Sequence, residues 1–186
     1  MADDLATHGL VDFSLRRAAK AAGTTHKVLL YYFDSAEDLL ADSVRQLRDR
    51  RIAEGLAAVD AIVTAQGRLS ERVRALWPVL ARDDARVLDQ AIGLVMYHPR
   101  RYEQLGREAS QQYTLPLTQI LPEAWPEKRR AEVAAMILAT LRGLLVARYT
   151  GAAVNAIDAG LEALARSLDR EEAGEVGTGG GAAGTV

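Results

Sequence analysis

Residues 14–33 read SLRRAAKAAGTTHKVLLYYF, and the fold turns on this stretch. Leu15, Ala18, Ala19 and Ala22 recur at i, i+3, i+4 and i+7, the spacing of a helix with one buried stripe. Ser14 stands ahead of them as an N-cap. Gly23 falls where the chain must turn sharply, a position that favours positive φ. Thr25 can cap a second helix, in which Val28, Leu29, Tyr32 and Phe33 are expected to face inward. Two short helices joined by a glycine turn form a helix-turn-helix, whose second helix can enter a DNA major groove. Between Gly9 and Phe33, Arg16, Arg17, Lys20 and Lys27 stand against Asp12 alone. Over residues 1–50, by contrast, seven Lys or Arg meet eight Asp or Glu. Positive charge is therefore gathered on the candidate DNA face.

Outward from this stretch, helical periodicity continues and strand signals are missing, so the expected class is all-α. Ser35 can cap a helix with Glu37 and Asp38 in its first turn, running to about Gln66. The next helix, about Ser70 to Arg82, contains Pro78, which should kink or break it. Asp83 or Asp84 should start another, ending before Pro99. One from Arg101 toward Ile120 should be bent or stopped at Pro116. The longest apolar helix is expected from about Glu127 to Tyr149, and a last one from about Ala153 to Glu172. Only Ala2 to His8 is left for a first helix. Residues 173–186 read as a flexible Gly-rich tail.

Composition excludes several function classes. The chain has 186 residues, 49% of them apolar and 26% charged, an ordinary globular profile. Cysteine is absent, which rules out disulfides, zinc-thiolate sites and thiol catalysis. A net charge of −2 excludes a uniformly basic nucleic-acid binder but not a local basic patch. The acidic start, with no apolar run of membrane-spanning length, reads as a cytoplasmic protein. The histidines at 8, 26 and 98 are far apart, and no His-Glu-x-x-His, G-x-S-x-G or phosphate-loop pattern occurs. Neither an enzyme nor a metal or cofactor site is expected.

The N-terminal stretch resembles the DNA-binding domain of the TetR family of bacterial transcriptional regulators. The matching residues are Gly9, Phe13-Ser14-Leu15-Arg16, Ala22-Gly23, Tyr32-Phe33 and Ser35-x-Glu37-x-Leu39-Leu40. The resemblance implies a helix-turn-helix domain over residues 1–45 and a larger ligand-binding and dimerisation domain over 46–172. It implies a homodimer that binds operator DNA, usually as a repressor, and is released by a small-molecule effector. The chain departs from the family pattern in its short acidic first helix, in Leu30 where relatives often carry tyrosine, and in Ala36 where they often carry lysine. These departures support a rival reading: a TetR-like ligand-binding or dimerisation protein with weak or lost DNA binding.

Candidate site residues follow. Thr24, Thr25, His26, Lys27 and Tyr31 should lie on the outward side of the recognition helix, with Lys27 suited to guanine O6 and N7. Arg16 and Arg17 are expected at phosphates. Ala135, Ala139, Gly143 and Ala147 recur every four residues, as do Ala152, Ala156 and Gly160, with Leu164 on the adjoining apolar face. Such small-residue stripes suit a four-helix bundle across a two-fold axis. For the effector, Trp77, Met96, Tyr97 and Tyr113 are candidate pocket residues, and Arg142 could pair with an anionic group.

Overall fold

Capping chemistry sets the first helices. In the computed structural model of the chain, which describes residues 2–10, 13–62, 67–83 and 86–174, α1 spans Ala2–His8 and α2 spans Leu15–Ala21. The Ser14 hydroxyl accepts from the Arg17 N–H at 3.3 Å, and the Thr25 hydroxyl accepts from the Val28 N–H at 3.4 Å to open α3, His26–Tyr32. Six more helices follow: α4 Ala36–Ile62, α5 Leu69–Leu80, α6 Arg86–Tyr97, α7 Glu103–Gln119, α8 Glu127–Tyr149 and α9 Val154–Ala173. Among the described residues there is no strand, and no helix is long and apolar enough to cross a membrane.

The expected helices are present, with differences at their ends. Residues 63–66, where α4 was expected to finish, and most of the expected tail lie outside the described residues. Pro78 does not break α5, nor does Pro116 stop α7. Each lies within the last turn or so of its helix, where forgoing one backbone donor disrupts little of the ladder. The helix expected from Asp83 or Asp84 begins at Arg86.

The helices gather into two compact units that are not continuous in sequence. The first holds residues 1–54 and 80–116, the second 55–79 and 117–186. In the first unit, Leu5, Leu10, Val44, Leu47, Leu88 and Leu105 belong to one buried cluster. Ala18, Ala19, Leu29 and Leu39 form a second, with Phe13, Leu15 and Phe33 packed against it. Arg48 is buried under α7, donating to Gln112 Oε1 at 3.1 Å and to the Leu105 carbonyl at 3.4 Å. Buried charge survives only where such acceptors meet it.

In the second unit, α8 and α9 pack against each other. Val133, Ile137, Leu141 and Leu145 supply the buried face of α8; Ile157, Leu161, Leu164 and Leu168 supply that of α9. The Glu172 carboxylate accepts from the Leu69 N–H at 3.0 Å, and Asp169 accepts from the Ser70 hydroxyl at 2.6 Å. Two α9 carboxylates thus meet the start of α5, where unpaired N–H groups and the helix dipole favour negative charge. The Arg74 guanidinium clasps Glu162 through two bonds of 2.8 and 2.7 Å. This holds the Glu162 carboxyl below the ordinary carboxylate range.

Candidate nucleic-acid interface

The turn between α2 and α3 is a Schellman motif. The Thr24 N–H donates to the Ala19 carbonyl at 2.9 Å and the Gly23 N–H to the Lys20 carbonyl at 3.2 Å. Gly23 has φ +64°, a left-handed conformation that L side chains rarely adopt. The turn satisfies two carbonyls that the end of α2 would otherwise leave open. It redirects the chain so that α3 packs on α2 through Leu29 alone of its fully buried residues.

The rest of α3 is presented outward. Thr25, His26 and Lys27 are exposed, Thr24 is half-buried, and Tyr31 is 84% exposed. Three residues differ from expectation. Ala22 is exposed because it is the C-cap of α2 rather than part of its stripe. Val28 and Tyr32 point outward with Leu30, because a seven-residue helix touching its neighbour along one narrow line buries little more than Leu29. Tyr32 is 71% exposed and meets Tyr31 edge to face at 5.1 Å between ring centres. The apolar period in VLLYY marks these residues as interior, and nothing in it distinguishes a helix with so small a contact.

Arg16 and Lys20 are exposed on α2. Arg17 is not disposed as a phosphate contact. Its Nε donates to Asp4 Oδ2 at 2.9 Å, and its Nη2 donates to the carbonyls of Gly9 at 3.0 Å and Asp4 at 3.3 Å. A guanidinium fastened to a carboxylate and two carbonyls holds the corner between α1 and α2. The same corner carries Gly9, φ +68°, where an added Cβ would come within 2.8 Å of Gln90 Oε1. That oxygen accepts from the Leu10 N–H at 3.1 Å.

The helix after α3 is also anchored. The Ser35 hydroxyl accepts from the Asp38 N–H at 3.0 Å, and Arg101 Nε donates to Glu37 Oε1 at 2.7 Å. The hydrogen bond from Arg101 holds the Glu37 carboxyl below its usual range.

The small-residue stripes divide. On α8, Ala135, Ala139 and Gly143 are exposed with Val146, opposite the buried face, and Ala147 is half-buried. A Cβ built on Gly143 meets nothing within 4 Å. On α9, Ala156, Ala159 and Ala163 are exposed. Gly160 and Leu164 turn inward instead. A Cβ on Gly160 would lie 2.7 Å from Leu144 Cδ2, and Leu164 is buried. These two serve the packing of α9 on α8, because they fall on the side of α9 that its own unit covers.

The expected effector residues fall in both units. Met96 and Tyr97 are 79% and 81% exposed at the end of α6, so neither lines an enclosed cavity. Tyr97 stacks edge to face on His98 at 4.6 Å. Tyr113 is half-buried in the first unit; Trp77 and Arg142 are half-buried in the second.

No family model and no curated protein matches the sequence. Among the solved structures that share the fold are three assigned as transcriptional regulators. One, from Rhodococcus sp., is assigned to the TetR family of transcriptional regulators; it superposes with TM-score 0.65 at 14% identity, over 91% of this chain and 92% of its own. A second, assigned as a transcriptional regulator from Pseudomonas aeruginosa PAO1, gives 0.64 at 20% identity over 93% and 86%. A third, likewise assigned, from Streptomyces coelicolor A3(2), gives 0.65 at 24% identity over 90% and 92%. The chain has the fold of a TetR-family regulator along nearly its whole length.

Proposed function

We propose that a chain with this fold is a homodimeric, DNA-binding transcriptional regulator, acting as a repressor that a small-molecule effector releases. The observation that carries the reading is the glycine turn at Gly23, which leaves a short, capped α3 with its polar and aromatic face open to solvent. Residues 1–45 are the DNA-binding part, and residues 46–172 the ligand-binding and dimerisation part. In this reading Lys27 reads a base edge from the first turn of α3, with Thr24, Thr25 and His26 beside it. Arg16 contacts phosphate, and Lys20 joins it. Tyr31, with Val28 and Tyr32, meets sugar and thymine methyl surface. The dimer forms through Ala139, Gly143 and Ala147 of α8 and Ala156 of α9. Trp77 and Arg142 are the residues offered to the effector.

Binding of the purified chain to the DNA upstream of its own coding sequence, at low and moderate salt, tests this reading. Sequence-specific retention at moderate salt supports it. A second reading, a helical ligand-binding dimer without DNA affinity, is favoured by the engagement of Arg17 within the protein. Loss of all binding at moderate salt would select it.

A further inference from the structure

Residues 24–32, which are α3 and the two residues before it, read TTHKVLLYY. They include no Asn, Gln, Asp, Glu or Arg. The stretch therefore has no amide side chain for the paired contact to adenine N6 and N7, and no carboxylate to accept from cytosine N4. Lys27 can donate to guanine O6 and N7. The Thr25 hydroxyl is engaged at the Val28 N–H. The base feature that the rest of the helix matches is the thymine methyl group, which takes apolar contact.

Position on the helix selects the side chains that offer this contact. Leu29 is the buried residue of α3. With about 3.6 residues per turn, Lys27 and Tyr31 both fall on the side opposite Leu29. Leu30 and Tyr31 follow Lys27 at i+3 and i+4, one turn further along the exposed face. Both are exposed, and Tyr32 meets the Tyr31 ring edge to face. Apolar side chains gathered in the open mark a contact surface. α3 carries no acidic residue that would repel phosphates. Four residues of helix advance about 6 Å, against about 3.4 Å for each base along one strand. A contact made by Tyr31 thus falls about two base pairs from one made by Lys27.

We infer, on the DNA-binding reading above, that each operator half-site carries a guanine read by Lys27 and, about one or two base pairs away, a thymine whose methyl group lies against Leu30 and Tyr31. The second turn of α3 recognises a methyl group and not a hydrogen-bonding edge.

The test binds the full chain to the duplex upstream of its own coding sequence, with each thymine replaced in turn by uracil, which removes the methyl group alone. Uracil at the contacted position should weaken binding about four-fold, the loss expected for one buried carbon. Replacing each guanine by its 7-deaza analogue, which lacks the N7 acceptor, locates the Lys27 contact. The sensitive thymine should lie about one or two base pairs from it. In a Leu30→Ala, Tyr31→Ala double variant of unchanged helicity, the uracil penalty should vanish and the deazaguanine penalty should remain. Lys27→Ala should give the reverse. A parent that prefers its own duplex but has no uracil-sensitive thymine overturns the methyl contact and leaves the DNA-binding reading standing. So does a uracil penalty that persists in the double variant, or a double variant that loses both penalties together. A parent with no preference for its own duplex overturns the DNA-binding reading and the methyl contact with it.

Discussion

Gly143→Leu separates the subunit contact from the fold of the subunit. Gly143 lies in the C-terminal third of α8 on its exposed face, and an added Cβ meets nothing within 4 Å. Within one chain, leucine there meets no steric penalty. It also replaces a poor helix former with a good one, a gain of about 0.5–1 kcal/mol. Against a partner helix packed on Ala139, Gly143 and Ala147, the same side chain is an overpacked residue costing about 1–3 kcal/mol. A two-fold axis brings the substitution into the interface twice, so dimerisation should weaken by about 2–6 kcal/mol, a factor of about 30 to 10⁴ in Kd. Sedimentation velocity across a concentration series reads the dissociation, and circular dichroism reads the helicity of the product. The expected product is a monomer as helical as the parent, melting at the same temperature or higher once dissociation is accounted for. An unchanged dimer would move the interface off this face. A monomer with lost helicity would show that Gly143 serves internal packing. Gly160→Leu lacks this clarity, because its side chain would collide with Leu144 inside the subunit.

Other expected outcomes concern the N-terminal helices. Arg17→Ala should lower stability by about 1–3 kcal/mol in denaturant titration, since it removes the donor to Asp4 Oδ2 and to the Gly9 carbonyl. Arg16→Ala should leave stability unchanged and reduce the salt dependence of DNA binding by about one phosphate's worth of slope. Lys27→Ala should relax base preference at one operator position by about 1–3 kcal/mol, read by competition among single-base variants; unchanged preference would remove Lys27 from the groove. Acid sensitivity should pass partly through Glu37, whose folded-state pKa is held below its ordinary 4.5 by Arg101. Its contribution is present above pH 4.5 and is lost as pH falls through the lowered folded value. Glu37→Gln should therefore flatten that part of the stability profile, and an unaltered acid limb would show the pair to be energetically silent.

The helix-turn-helix was legible because its signals are local. A cap at Ser14, another at Thr25 and a glycine between them specify two helices and a turn without reference to the rest of the chain. The boundaries of α8 were legible for the same reason, lying between Pro126 and Gly151. What a helix buries was harder to read, because burial depends on partners the sequence does not name. Val28 and Tyr32 look interior by period and stand exposed on a helix with one narrow contact. Gly160 looks like its counterpart Gly143, yet one faces Leu144 and the other faces solvent. Arg17 is a basic residue on a candidate DNA face, and only the placement of Asp4, thirteen positions away, shows that it is engaged. Met96 and Tyr97 have the chemistry of a pocket lining and lie at an exposed helix end.

The exposed face of α3 is the surface proposed to read DNA. Fluorescence anisotropy with the chain's own upstream duplex and a scrambled duplex of equal length, at moderate salt, tests it most directly when the parent is run beside a Lys27→Ala, Tyr31→Ala double variant. The parent should prefer its own duplex, and the double variant, equally folded, should bind both duplexes alike. Equal binding of both duplexes by the parent, or a preference that survives in the variant, would contradict it.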